Sequence, residues 1–365
     1  MSSVSSSAPA IRFAVIGDYG WEGQPAADVA ALVKQWSPDI VVTVGDNNYM
    51  EMSAENFDKN VGQYYSDFIF PYSGKYGAGA KVNRFFPALG NHDWYTGSIQ
   101  TYLDYFTLPG NERYYDFVKG SVHFFIIDSA EEEPDGIDAN SSQAQWLRNK
   151  LSQSTAPWKL VFMHHAPYSS GNHSSVAIMR WPFKEWGADA VIAGHDHHYE
   201  RFYVNGMTYL VNGLGGRSLY DMKATVSGSH YRYNSDYGAM LVDATENVST
   251  FKFITRKGTT LDTFTLSKGF QHTLPYIYFR GTPNNFATTP MRLVGDNTWS
   301  IDVTFAGTAT ERFKFDVYGD WVEGIGDANN DFIGDSGGDI PVRQGAGQYR
   351  IEYNDLTKRY TITKL

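Results

Sequence analysis

The feature that most constrains this chain is a rhythm that recurs through residues 11–198. An apolar, β-rich run stops at a cluster of Gly, Asp, Asn or His, and a helical pattern or long loop follows. Ile11 to Ile16 ends in Gly17-Asp18-Tyr19-Gly20, and Pro25 to Trp36 then carries Val29, Leu32, Val33 and Trp36 at helical spacing. Ile40 to Val44 ends in Gly45-Asp46-Asn47-Asn48-Tyr49, and Arg84 to Leu89 ends in Gly90-Asn91-His92-Asp93. Val122 to Ile127 stops at Asp128, Leu160 to Met163 at His164-His165, and Ala190 to Ala193 at Gly194-His195-Asp196-His197-His198. Ser142-x-x-Gln145 reads as a capping box opening a helix through Leu147 and Leu151. Strands alternating with helices predict an α/β (α+β layered) fold. Such folds build their sites beyond the carboxyl ends of strands. Polar clusters far apart in sequence are therefore expected to converge.

Later segments change character. Met207–Val211, Ala239–Val242, Thr250–Thr255 and Leu261–Leu266 are short alternating strands, expected to complete a second sheet on the first. Residues 269–275 read as a linker. From 276 to 365 no helical period remains, and strands are expected at Tyr276–Arg280, Met291–Val294, Trp299–Phe305, Arg312–Tyr318, Gln348–Tyr353 and Arg359–Thr363. That is the pattern of an all-β sandwich. Residues 1–10 read as a disordered leader without the basic region and apolar core of a signal peptide. The domain plan is thus a leader (1–10), a catalytic domain (11–268), a linker (269–275) and a β-sandwich (276–365).

Composition narrows the chemistry. The chain has no cysteine, which removes disulfides, zinc–thiolate sites, iron–sulfur clusters and cysteine nucleophiles. Any metal must be held by His, Asp, Glu, Asn or Tyr. A formal charge of −10 argues against nucleic-acid and anionic-membrane partners, and no apolar run is long enough for a membrane span.

The strand-end clusters offer Asp18, Asp46, Tyr49, Asn91, His164 or His165, His195 and His197 as ligands. Carboxylate, phenolate and amide oxygens are hard donors and imidazoles borderline ones. Such a set exceeds one tetrahedral ion and suits two ions sharing a bridging carboxylate. His195 and His197 face one side if the strand continues through them. In a turn they can serve neighbouring metals.

The order Asp…Gly-Asp-x-x-Tyr…Gly-Asn-His…Val-x-x-His…Gly-His-x-His resembles the metallophosphoesterase superfamily, and within it the shorter, tartrate-resistant type of purple acid phosphatase, over roughly residues 11–268. Asp18-Tyr19-Gly20 lacks the imidazole that most of the superfamily carries there, and Tyr49 stands at the position that defines the purple branch. The resemblance implies a four-layer αββα sandwich. It implies that Asp18, Tyr49 and His197 hold Fe3+, that Asp46 bridges, and that Asn91, His164 and His195 hold a divalent ion (Fe2+, Zn2+ or Mn2+). It makes His92 and His173 contacts to phosphate or leaving group, and the reaction hydrolysis of phosphomonoesters by attack of a metal-bound hydroxide. Spacing from Val161 and to His173 favours His164 over His165, which is otherwise a ligand, a substrate contact or a donor behind the ligands. Export, to the periplasm or outside the cell, is implied by the resemblance.

Other residues have plainer readings. Asp93 is expected to make a turn or back a ligand, Asp128 to orient a ligand histidine or sit buried, and Glu200-Arg201 to pair with each other. Gly213–Gly216 reads as a turn, and Glu131-Glu132-Glu133 as a solvated loop. The segment Phe279–Phe286, with Trp299 and Trp321, resembles starch-binding β-sandwich modules, implying a polysaccharide partner stacked on one or both indoles. Asp327-x-Asn329-x-Asp331-x-x-x-Asp335 has calcium-loop spacing, with Phe332 where glycine is usual, and makes Ca2+ a candidate ligand. The rival functions are a phosphodiesterase or nucleotidase on the same site, and a carbohydrate-binding protein with a vestigial phosphatase domain. Loops 50–83 and 217–237 are the expected walls of the substrate pocket.

Overall fold

The structure, a computed structural model, describes residues 8–49, 53–335 and 337–365, so most of the expected leader lies outside the described residues. It falls into two compact units, one holding residues up to 246 with 251–262, the other 247–250 with 263–365.

Two sheets are built by the strands between residues 11 and 267. Strands β1 (Ile11–Ile16), β2 (Ile40–Thr43), β3 (Phe85–Phe86), β4 (Tyr115–Lys119), β5 (Val122–Ile126), β6 (Trp158–Phe162), β7 (Ala190–Ala193), β8 (Tyr199–Val204), β9 (Met207–Asn212), β10 (Ser229–Tyr233), β11 (Gly238–Ala244), β12 (Val248–Thr255) and β13 (Thr260–Ser267) follow in chain order. One sheet runs β13-β12-β11-β1-β2-β3, the other β10-β8-β9-β7-β6-β5-β4. The runs of β1, β2, β6 and β7 are nearly all apolar because each strand is paired on both edges and covered on both faces. β1 and β2 are parallel, as are β5, β6, β7 and β9, so their carboxyl ends point the same way within each sheet.

The sheets face each other through aromatic contacts. The Phe13 ring on β1 meets Phe124 on β5 edge-on at 5.0 Å and Phe162 on β6 at 6.4 Å. Helix Gln24–Gln35 buries Val29, Leu32 and Val33, and Leu32 joins Leu241 and Ile254 on the outer face of the first sheet. Helix Ser142–Gln153 buries Ala144, Leu147 and Leu151 in a cluster with Val161 and Val191 on the outer face of the second. The layers are therefore αββα, as the strand rhythm and the resemblance imply. Leu147 is fully buried in that cluster, and truncating such a residue to Ala typically costs about 2–5 kcal/mol.

Differences from the expected elements have local causes. The N-cap of the second helix is Ser141, whose Oγ accepts from the Ala144 amide at 3.1 Å, one residue before the expected box. β8 was hidden by Glu200 and Arg201, which a strand interior rarely tolerates. Both are buried, and they do not pair with each other: Arg201 Nε donates to Asp262 at 2.8 Å, and Glu200 lies 2.9 Å from His198 Nε2. The 131–133 run is not wholly solvated, because Glu133 is buried and takes a bidentate contact from Arg113 Nε at 3.0 and 3.2 Å. The 50–83 segment contains helical turns from Ala54 to Phe68, and residues 50–52 lie outside the described residues.

The second unit is all-β. Ile277–Gly281, Arg312–Val317 and Glu323–Ile325 form one sheet with two short partners, and Arg292–Gly295, Thr298–Phe305, Gly347–Asn354 and Tyr360–Lys364 form another. Phe313, Phe315, Ile351 and Tyr353 fill its core together with Trp299. Trp299 is 1% exposed and its indole N–H donates to Asp355 at 3.0 Å, so it is a core residue and not a sugar platform. Trp321 is 46% exposed, with the Arg280 guanidinium 4.1 Å from its ring centre on one side. Asp327 accepts from the amides of Asn330 at 2.7 Å and Phe332 at 3.0 Å and from Tyr360 Oη at 2.7 Å. Its carboxylate closes the loop by hydrogen bonds, and the geometry lends the calcium reading no support.

Candidate metal centre

The polar clusters that end β1, β2, β6 and β7 meet in one buried place. Asp18, Asp46 and His195 make the meeting possible by leaving their strands with left-handed backbones, at φ 55, 53 and 71. The approach is close enough that a Cβ on Gly90 would collide with Asp46 Oδ1.

Two groups of ligating atoms result. In the first, Asp18, Asp46 and His197 converge. Tyr49 Oη lies 3.4 Å from Asp18 Oδ1 and 3.2 Å from His197 Nε2, which is itself 3.3 Å from Asp18 Oδ1. In the second, His164, His165 and His195 converge. His164 Nδ1 lies 2.8 Å from the Val44 carbonyl, which can only accept, so the proton sits on Nδ1 and Nε2 offers its lone pair. That Nε2 lies 3.0 Å from Asn91 Oδ1, 3.2 Å from His195 Nδ1 and 3.3 Å from Asp46 Oδ1. Asp46 thus touches both groups. His165 Nδ1 is occupied by Ser129 Oγ at 2.9 Å. His195 joins His164 and His165 while His197 joins the aspartates, so the His-x-His pair is split by a turn and does not face one side.

Electrostatics favours a cation here. Burial pushes the Asp18 and Asp46 carboxyls well above the usual range, and for Asp46 the neighbouring Asp18 and Asp93 charges add to it. Burial also lowers the imidazoles: His164 well below its ordinary value, His195 to about 2 and His197 to about 3. Buried carboxylates without a cation beside them are costly, and the His164 Nε2 lone pair faces the Asn91 and Asp46 oxygens, an arrangement that positive charge between them relieves. The donor set therefore fits two metal ions of hard or borderline character.

The two histidines expected outside the ligand set are at its edge. The His92 ring stands 4.5 Å from Tyr49, and His173 stands 4.2 Å from His195. Burial holds His92 down to about 4 and lowers His173 as well.

Further residues support this set. Asp196, inside the Gly-His-Asp-His run, accepts from the His173 amide at 2.7 Å and from Ser169 Oγ, so it fixes the loop that presents His173. Asp93 Oδ2 accepts from Gly90 N and Asn47 Nδ2, each at 2.8 Å, tying two ligand-bearing loops together. Asp128 hydrogen-bonds to no histidine among the described residues and instead accepts from Trp94 Nε1 at 2.8 Å. Ser129 supports the histidine pair, accepting from both their amides at 3.2 and 2.8 Å. Tyr220 stacks on His197 at 3.9 Å, and Arg217 lies against Tyr49. Asp93 and Asp128 stood out as strand-end carboxylates, and Asp196 could have been flagged by its place inside the Gly-His-x-His run. The others act through contacts across loops that no local pattern encodes.

A family model for calcineurin-like phosphoesterases matches residues 11–199. Tartrate-resistant acid phosphatase type 5 from Homo sapiens is 24% identical over 254 residues, covering 59% of this chain and 75% of that protein. Purple acid phosphatase 17 from Arabidopsis thaliana is 27% identical over 241 residues, covering 57% of this chain and 69% of that protein. Purple acid phosphatase PPD1 from yellow lupin has a similar structure, with a TM-score of 0.59 at 21% identity over 71% of this chain and 54% of that one. This last likeness speaks to fold alone.

Proposed function

The chain belongs to the calcineurin-like phosphoesterase family, and on that premise we propose that it is a two-metal acid phosphatase of the purple type acting on phosphomonoesters. The observation that carries the reading is the buried meeting of Asp18, Asp46, Tyr49, Asn91, His164, His195 and His197, with acceptor atoms turned toward one another. Asp18, Tyr49 and His197 would hold Fe3+, Asp46 would bridge, and Asn91, His164 and His195 would hold Fe2+, Zn2+ or Mn2+. His164 is preferred because its Nδ1 is tied to Val44 and its Nε2 faces Asn91 and Asp46, whereas Ser129 takes His165 Nδ1. When bound, two such ions neutralise charge on the phosphoryl oxygens and acidify water, so no serine or cysteine nucleophile is required.

The chain's own residues supply position and protons. Ser218 holds His197 by Nδ1 at 2.7 Å, and Asp196 holds the His173 loop. His92 and His173 border the ligand set and would contact the phosphate or protonate the leaving oxygen. Since burial keeps both imidazoles neutral at ordinary pH, they carry a proton in acid or when a phosphate dianion lies beside them.

In this reading residues 11–268 are catalytic and 276–365 a separate β-sandwich. The exposed Trp321 ring, backed by Arg280, supports a sugar-binding role for the sandwich. Export rests on the resemblance. A diesterase remains the rival on the same ligands.

The test is elemental analysis of the purified full chain with turnover of p-nitrophenyl phosphate and its bis-ester. Bound metal at about two ions per chain and preferential monoester turnover are expected, and a chain that binds no transition metal refutes the reading. Iron-loaded protein should absorb in the visible, and Tyr49→Phe should be bleached while folded. A colourless, oxidised, iron-replete wild type would remove Fe3+–tyrosinate from the reading.

A further inference from the structure

The rim of the metal centre carries a cation to which nothing above gives a role. Arg217 follows the Gly213–Gly216 turn, and its amide N–H donates to the Asp18 carbonyl at 3.1 Å, which docks it beside the aspartate end of the cluster. Its guanidinium carbon lies 4.3 Å from the centre of the Trp21 ring and 5.2 Å from that of Tyr49. Tyr49 in turn is in ring contact with His92 at 4.5 Å, so one ring separates Arg217 from a residue at the edge of the phosphate position. The Arg217 Nε is buried and has no hydrogen-bond partner. Among the described residues no carboxylate lies within ion-pair distance of it.

Each of these facts points to an absent anion. A buried guanidinium N–H without an acceptor is unfavourable, and an oxyanion restores the missing bond with charge assistance. The two aromatic rings brace the planar fork, so little freedom remains to be lost when an anion binds. The charge is not needed to balance the aspartates, which the metal ions would do. It is positive field left over at the mouth of the site.

We propose that Arg217 is a specificity residue that selects phosphomonoesters over phosphodiesters, by holding a terminal phosphoryl oxygen that the monoester has and the diester lacks. The proposal rests on the reading of the site as a phosphomonoesterase. A monoester dianion carries three terminal oxygens and two charges, and a diester carries two terminal oxygens and one charge. A guanidinium added to a site that already receives two oxygens therefore gains most from the monoester. Trp21 is 37% exposed beside it and flanks the same approach.

The experiment uses the full-length, metal-loaded protein with Arg217→Met, which keeps the stem against Trp21 and removes the charge, and Arg217→Lys, which keeps the charge and removes the fork. The ratio of kcat/KM for p-nitrophenyl phosphate to that for bis(p-nitrophenyl) phosphate should fall by about 10- to 100-fold in Arg217→Met, the worth of a charge-assisted hydrogen bond. Arg217→Lys should lie between. A ratio within about threefold of wild type in Arg217→Met overturns the proposal. So does loss of metal from that variant, which would make Arg217 a brace for Tyr49. Calorimetric binding of orthophosphate and of dimethyl phosphate provides a readout independent of turnover: Arg217→Met should weaken orthophosphate selectively, and equal weakening of both anions, or of neither, overturns the proposal. If wild type hydrolyses neither ester, the phosphatase reading fails while this binding pair still decides the role of Arg217.

Discussion

The buried ion pair on β8 permits a sharp test of how the His195–His198 segment is held. Arg201 is 1% exposed and Asp262 4%, and the Asp262 carboxylate takes Arg201 Nε at 2.8 Å, Arg201 Nη2 at 3.3 Å and Tyr199 Oη at 2.9 Å. Breaking such a pair from one side strands a buried charge and costs about 3–5 kcal/mol, far more than a surface ion pair is worth. The two sides are not equivalent. Asp262→Ala leaves Arg201 without its carboxylate and takes the acceptor from Tyr199, whereas Arg201→Met leaves Asp262 still bonded to Tyr199. Asp262→Ala should therefore be the more harmful, near the upper end of that range. The double variant strands no charge and should lose less than the sum of the two, giving a coupling of about 2–4 kcal/mol. Urea unfolding of the four proteins measures it. Glu200→Ala, combined with Arg201→Met, should show clearly weaker coupling than the Asp262 pair, because the Glu200 carboxylate is held by His198, Ser229 and the Ser170 amide. Strong coupling of Arg201 to Glu200, or none to Asp262, would refute the pairing.

Further outcomes follow from the same geometry. Asp46→Asn should lose metal and turnover together, because Asp46 touches both ligand groups; retention of two ions with normal turnover would dismiss the bridge. His164→Ala should lower divalent-metal content while His165→Ala keeps it, and the reverse result would exchange their assignments. Ser141→Ala removes the helix cap and should cost about 1 kcal/mol in urea unfolding, with Ser142→Ala nearly silent. Trp321→Ala in the full chain should abolish retention on insoluble starch without altering phosphatase turnover, and unchanged retention would end the sugar-binding reading.

What could be read from the sequence was whatever a residue declares by type and place together. Asp18, Asp46, Asn91, His164 and His195 are recognisable because each is a ligand-type side chain directly after an apolar strand, and the parallel order of those strands brings their ends together. The six longer strands of the C-terminal unit were legible within about two residues because period-two alternation is local, whereas Thr289–Pro290, Glu323–Ile325 and Ile340–Pro341 are too short to show a period and were missed. Arg201 was misread because adjacency to Glu200 suggested a pair, whereas its carboxylate lies 61 residues on, at Asp262. Glu133 looked solvated since its partner Arg113 belongs to another segment. Trp299 sits inside a strand and is core, whereas Trp321 follows Gly319-Asp320 in a loop and is exposed, a difference that the flanking turn residues already suggest. Arg217 gave no signal, since its setting is made by rings at positions 21 and 49.

The left-handed turns at Asp18, Asp46 and His195 bear on any attempt to make this protein more robust. Glycine adopts such a conformation without the penalty that a side chain incurs there, roughly 1–2 kcal/mol for an ordinary residue and less for aspartate. A search for thermostable variants guided by backbone preference would thus favour glycine at these three positions. Each gain would delete a side chain that reaches the candidate metal centre, and under the proposed function the resulting library would drift toward heat-resistant proteins unable to hold an ion. Screening for heat resistance in this fold therefore has to retain metal as a selected trait.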